Sequence, residues 1–167
     1  AFWRGGRMLL LAACLLAGLA AQAMTGSVIS AGRGELTPAL AFARLARGEG
    51  ERHAVDQFHP AGPRQEQWFL LDTGPGDPGG RLLVLPYAGL DLVEMYLPPS
   101  LDRPVARAGD TIGVSRWTLP YLHPVLPLGA HGGLVLLKVR NTHPTSFPWQ
   151  LETAAQFEVE RKWVLLL

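Results

Sequence analysis

The sequence predicts an all-β domain, an antiparallel sandwich or barrel preceded by one short helix. Three observations carry this. From Trp68 onward, runs of roughly four to nine apolar or β-branched residues alternate with turns rich in Gly, Pro and Asp. Within several runs apolar and polar residues alternate with a period of two, which marks a strand with one face on a core. No helix-length periodic segment interrupts the series, so the pattern is not that of a parallel α/β sheet.

The elements follow in chain order. Residues 1–23 read as a secretory signal peptide: Arg4 and Arg7 form a basic start, Met8 to Ala21 an apolar stretch, and Ala21-Gln22-Ala23 an A-x-A cleavage pattern. The apolar stretch is about fourteen residues, shorter than the roughly 20 that a spanning helix needs. An uncleaved anchor is one alternative. A lipoprotein box at Leu11 to Cys14 is another, against which the apolar run continues past Cys14. Residues 24–36, small and polar with glycines, read as a loose lead-in. Thr37-Pro38 gives an N-cap followed by proline at the first helical position. A short helix over Ala39 to Arg47 follows, with Leu40 and Ala43 on one side in register with Leu36, and Gly48 closes it. Residues 48–66 are charged and irregular, with Phe58 as a solitary core plug.

Strands are expected at Trp68–Asp72, Leu82–Tyr87, Leu92–Leu97, Thr118–Leu126, Leu134–Val139 and Trp149–Thr153. The intervening "TGPGDPGG" reads as a hairpin loop, because its prolines lack the N–H groups a phosphate cradle would need. Val93, Met95 and Leu97 alternate with Leu92, Glu94 and Tyr96, and Val135, Leu137 and Val139 alternate with Leu136, Lys138 and Arg140. Pro86, Pro120, Pro124 and Pro127 cannot donate ladder bonds, so their strands should be edges or carry bulges. The last residues read "ERKWVLLL". They are either a final buried strand, or a connector followed by the start of a membrane helix with Trp163 at its entrance. The domain limits are then 1–23 for the signal, 24–157 for the sandwich, and 158–167 for the connector and the start of a first transmembrane helix.

Without residues 1–23, 144 of the 167 residues remain, enough for one domain with a core. Cys14 leaves with the signal, so the exported part has no disulfide and no Cys-ligated metal. Thirteen basic residues then face 14 acidic ones. That balance, with export, argues against nucleic acid.

Few residues point to catalysis. The five histidines, His53, His59, His123, His131 and His143, show neither the i, i+4 spacing of a zinc protease nor an H-x-H on a strand. There is no G-x-S-x-G elbow. Asp91 and Glu94 are an odd number of residues apart and so lie on opposite faces of their strand, which excludes them as a glycosidase pair within it. The expectation is a module that is not an enzyme and holds no metal or cofactor. The aromatic set is more informative. Trp117, Tyr121 and Trp149 lie in or beside strands, with Arg116 and His123 close by. Exposed Trp and Tyr supply stacking area at low entropic cost, and Arg presents a planar fork of donors to hydroxyls. The plain alternative is that these rings are core or rim packing.

The chain also resembles a known family. The residues that carry the resemblance are Trp68 and Leu71, Leu90-Asp91-Leu92-Val93-Glu94-Met95-Tyr96-Leu97-Pro98, Gly109-Asp110, Ser115-Arg116, Val135 to Asn141, and Pro148, spread over roughly residues 36–157. They are similar to the periplasmic domain, of the second extracellular type, of bacterial receptors with seven transmembrane helices and diverse intracellular signalling modules. The resemblance implies a jelly-roll-like antiparallel β-sandwich, similar to carbohydrate-binding modules, on the periplasmic side of the inner membrane. Membrane helices and a cytoplasmic output such as a histidine kinase or diguanylate cyclase would follow. The family has a further basic residue near the strand after Ser115-Arg116; His123 is the local candidate here.

The resulting expectation is a ligand-sensing domain of a membrane receptor. Arg116, Trp117, Tyr121 and His123 are its candidate ligand-binding residues, for a small molecule or a carbohydrate. Arg116 comes first, because chemistry and resemblance coincide there, although it could instead brace its loop through Asp110 or Asp102. Two alternatives stand beside this. One is a periplasmic protein-interaction domain that docks a second copy or another protein through its edges or its helix. The other is an accessory binding module of a secreted glycoside hydrolase.

Overall fold

In the computed structural model, which describes residues 24–54, 58–59, 65–143 and 145–164, the chain forms two antiparallel sheets with a helix against the outer face of each. The elements in chain order are β1 (Thr25–Gly32), α1 (Pro38–Ala46), β2 (Glu51–Ala54), β3 (Phe58–His59), β4 (Gln65–Asp72), β5 (Arg81–Val84), β6 (Leu92–Tyr96), β7 (Ala106–Ala108), β8 (Val125–Gly129), β9 (Leu134–Arg140), β10 (Thr145–Ser146), β11 (Gln150–Thr153) and α2 (Ala154–Val164). A single 3-10 turn, Val114–Arg116, lies between β7 and β8. The large sheet has the order β2-β1-β4-β9-β6-β7, the small one β11-β5-β8, and β3 pairs with β10. This is the all-β sandwich that the strand pattern predicts.

The main core lies between the sheets. Phe69, Leu71, Val93, Met95, Val135, Leu137 and Val139 of the large sheet meet Leu83, Leu126 and Leu128 of the small one. Phe69, Phe147 and Trp149 pack edge to face, with ring centroids 5.0 to 6.2 Å apart. The central strand β4 is buried on both faces, from Glu66 to Leu71. Its second face, with Trp68 and Leu70, packs under α1 with Ile29, Leu136 and Tyr96.

The helix α1 begins as expected. The Thr37 hydroxyl accepts from the Leu40 N–H at 3.2 Å, and Pro38 occupies the first turn. Its buried face differs from the predicted one: Ala41 and Leu45 point inward and Leu40 is exposed. The i, i+4 pair Ala41/Leu45 fits closely over the sheet, where a small residue lets the helix approach.

Other differences have physical reasons. The lead-in at 24–36 contains β1, whose small residues gave no period-two signal, yet it pairs with β4 along seven residues, Gly26 to Gly32. The irregular stretch 48–66 holds β2; the side chain of Phe58 lies outside the described residues. The expected strand Thr118–Leu126 begins only at Val125. Before it, Pro120 and Pro124 leave the chain without ladder donors, and residues 117–124 form a loop. Pro127 then sits on the edge strand β8, and the register against β5 shifts there, between Arg81 and Leu82.

The expected hairpin "TGPGDPGG" is instead a corner that carries the chain from the large sheet to the small one, and residues 130–133 carry it back. The two corners pack backbone to backbone. A Cβ on Gly76 would lie 2.2 Å from the Ala130 carbonyl oxygen, so no larger residue fits. Buried Arg81 ties them, donating to Thr73 O at 2.7 Å and His131 O at 2.8 Å. The chain is helical over Ala154–Val164, so the first part of the terminal "ERKWVLLL" is not a strand; residues 165–167 of that run lie outside the described residues. The signal-peptide reading at 1–23 falls outside the described residues.

Leu137, fully buried on β9, and Leu134, 40% exposed on the same strand, make a direct test of this core. Leu137→Ala should cost about 2–5 kcal/mol, while Leu134→Ala should stay within about 0.5 kcal/mol. Guanidinium unfolding midpoints of the two variants check this.

Candidate functional site

The four candidate residues lie on one segment, 109–124, between β7 and β8. Its path is set by a tight turn against the chain at Asp91. Gly109 has φ 132°, and a Cβ there would lie 2.5 Å from the Asp91 carbonyl oxygen. The Asp110 N–H donates to Leu90 O at 2.8 Å and the Thr111 N–H to Asp91 O at 2.9 Å. Further on, Thr118 is stitched to the edge of the large sheet. Its N–H donates to Arg107 O at 3.1 Å, and its hydroxyl accepts from the Arg107 N–H at 3.0 Å.

These pins decide what the side chains do. Trp117 is 6% exposed and belongs to the main core. Its Nε1–H is shared between Gly109 O at 3.1 Å and Ile112 O at 3.2 Å, so the indole closes its own loop. It offers no open face for stacking, which corrects the expectation of an exposed platform at this position. Arg116, one residue earlier in the 3-10 turn, is exposed. Among the described residues it pairs with neither Asp102 nor Asp110, and no hydrogen bond or ring contact joins it to Tyr121 or His123.

Tyr121 and His123 come together elsewhere, on the outer face of the small sheet. Their rings meet edge to face at 5.0 Å, and Tyr121 meets Phe157 of α2 in the same way at 4.9 Å. Phe157, 2% exposed, closes an outer core with Leu82, Val84 and Val125. Burying such a ring contributes about 1.5–3 kcal/mol, the main apolar anchor of α2.

The polar groups at this junction are poorly served. The Tyr121 hydroxyl and Glu152 Oε2 have no contact with solvent and no hydrogen-bond partner in the protein. Burial pushes the Glu152 carboxyl above its ordinary value, and the Glu160 charge on α2 adds to the effect. Burial also raises the Tyr121 hydroxyl, with Glu160 and Glu152 contributing. His123 is lowered by burial, against the pull of Glu160. Sequence reasoning missed Glu152 and Glu160. Strand alternation does place Glu152 opposite core-facing Leu151, but nothing local says that α2 covers that face.

A second polar set crosses the outer face of the large sheet. Lys138 Nζ lies 3.2 Å from Glu66 and 3.7 Å from Glu94, and Arg107 reaches Glu94 at 3.2 Å. The Tyr96 hydroxyl donates to Glu94 at 3.2 Å. Lys138 also sits 5.4 Å from the centre of the Trp68 ring. Two carboxylates meet two cations in neighbouring register positions, so the row neutralises itself and braces the strands. Among the described residues, no group of three or more His, Cys, Asp or Glu is placed to hold a metal ion. Nor is any helix among them long and apolar enough to cross a membrane. Compared with known proteins, the chain matches no protein-family profile, no curated protein and no solved structure.

Two outcomes check these assignments. Trp117→Phe, which strips two carbonyls of their buried donor, should cost about 1–3 kcal/mol, and Arg116→Ala should stay within about 0.5 kcal/mol. Thermal or denaturant unfolding of both variants separates anchor from surface. Tyr121→Phe removes a hydroxyl that has no partner in the protein, so its melting temperature should equal or exceed that of the parent.

Proposed function

We propose that this domain is a non-catalytic sensing module, a jelly-roll-like periplasmic domain of a membrane receptor, with the segment 109–124 as its input and α2 as its output. One observation carries the reading. The segment that bears exposed Arg116 runs on directly into Tyr121, and the Tyr121 ring rests on Phe157 of α2 at 4.9 Å. A ligand that reorders this segment must also change the seat of the helix. Such a ligand shifts the module only by the difference in its affinity for the two states, typically ~1–3 kcal/mol. With Trp117 buried, exposed Arg116 is the residue of this segment that would hold a carbohydrate or another small polar ligand.

A second reading has its own support. Leu122 is 64% exposed and Val114 is 51% exposed on the same segment, beside a Trp that is already buried. Scattered apolar side chains of this kind suit a protein partner, or a second copy of the chain, better than a sugar. A glycan array probed with this chain distinguishes the two. The sensing reading expects retention of a defined saccharide class, lost in Arg116→Ala with unchanged melting temperature. Absence of retained glycans, with concentration-dependent self-association that Leu122→Asp abolishes, favours the interaction domain.

A further inference from the structure

The outer face of the small sheet gathers ionisable groups from several elements and leaves two of their buried atoms, the Tyr121 hydroxyl and Glu152 Oε2, without partners. The segment before β8 brings Tyr121 and His123, β11 brings Glu152, and α2 brings Glu160. The strand β5 contributes apolar Leu82 and Val84 here, and β8 contributes Val125. Arg81 of β5 is engaged with the corner carbonyls of Thr73 and His131. The cations on α2 are Arg161, held 2.9 Å from Glu158, and exposed Lys162. Glu152 is thus seated beside a like charge, and one of its oxygens has neither solvent nor donor.

A carboxylate in that position is destabilised twice, by lost hydration and by repulsion from Glu160. A neutral carboxyl suffers neither. Lifting α2 hydrates the group and increases its distance from Glu160. The apolar hold on the helix is narrow: among its described side chains Phe157 is the one deeply buried, while Val159 and Trp163 are 57% and 68% exposed. The hold of this single ring is opposed by the ionisation of a carboxyl that has one oxygen shut off from solvent. We propose that α2 is a proton-gated latch: a neutral Glu152 seats the helix on the small sheet, and an ionised Glu152 loosens it.

The direction of the effect follows from linkage. The Glu152 carboxyl is raised when α2 is seated, so the seated state binds the proton more tightly. Seating therefore strengthens as pH falls through the raised value, is complete below the ordinary glutamate value, and weakens as pH rises. His123 acts in the opposite sense. Burial lowers it, so its support for seating is present above the ordinary imidazole value and is lost as pH falls through the lowered one. Attraction to Glu160 limits that loss. Tyr121 is raised from an already alkaline range and stays neutral throughout.

The latch deepens the sensing reading by naming a stimulus, but it rests on that reading only for what the helix moves; the seating itself is measured on the chain alone. Hydrogen exchange by mass spectrometry, corrected for intrinsic rates, follows residues 154–164 against β9 between about pH 5 and pH 8. Because the seated state binds the Glu152 proton more tightly, protection of α2 relative to β9 should rise measurably toward the acid end. Glu152→Gln should abolish the rise of protection toward the acid end, leaving only the opposite, His123-dependent slope. Glu160→Gln should flatten the response, and His123→Gln should steepen it. Equal protection of α2 at every pH, or an unchanged slope in Glu152→Gln with β9 still protected, overturns the latch and leaves the glycan result untouched. A silent glycan array removes the sensing reading and leaves the latch standing.

Discussion

Both main sheets of this protein carry large apolar residues on both faces, and those residues must be covered on each side. In the large sheet, β4 and β9 carry Phe69, Leu71, Leu137 and Val139 toward the interior, and Trp68, Leu70 and Leu136 away from it. In the small sheet, Leu83 faces inward and Leu82 and Val84 outward. Water on either outer face would forfeit a large share of the burial that holds a domain of this size together. The layer order follows: α1, large sheet, small sheet, and finally α2 with the loop before β8. The helices are lids demanded by the strands, and each is seated by few residues, Ala41 and Leu45 in one and Phe157 in the other.

That requirement also explains how one segment comes to serve two cores. Residues 109–124 leave the edge of the large sheet and enter the edge of the small one. Near its start, Trp117 is drawn into the main core and satisfies its N–H on local carbonyls. Near its end, Tyr121 and Leu119 lie against the outer core under α2. Arg116 is left at the surface, immediately before the first of these anchors. The same segment thus carries an exposed cation and, five residues on, the ring that rests on α2, and it is braced at Thr118 by two hydrogen bonds to the Arg107 backbone. In the outer core, unlike the main one, an apolar face lies beside the carboxyls of Glu152 and Glu160.

Much of this was legible in the chain. The strands at Trp68, Leu82, Leu92, Leu134 and Gln150 announce themselves by apolar runs between Gly and Pro turns, and Thr37-Pro38 marks the start of α1. β1 was not legible, because "TGSVISAG" is small and weakly patterned and becomes a strand only through its ladder with β4. The strand expected at Thr118 was misread because an apolar run with two prolines looks like a strand until the ladder has to be built. Of the candidate site, the chemistry of Arg116 and the aromatic character of the segment could be read. Which ring faces solvent could not, since burial of Trp117 depends on where Gly109 and Ile112 bring their carbonyls.

By itself the sequence determined the all-β class, the capped helix α1, the alternation that sends Val93, Met95, Val135 and Leu137 inward, and the segment where an exposed cation sits. These are local properties, set by period, by proline and glycine geometry, and by side-chain chemistry. Only the tertiary structure decided that "TGPGDPGG" turns a corner between sheets, that residues 154–164 form a helix over the small sheet, and that Glu152 and Glu160 come close to Tyr121 and His123 at one junction. Those outcomes depend on which distant surfaces are left uncovered once the strands have paired, and no stretch of a dozen residues contains that information.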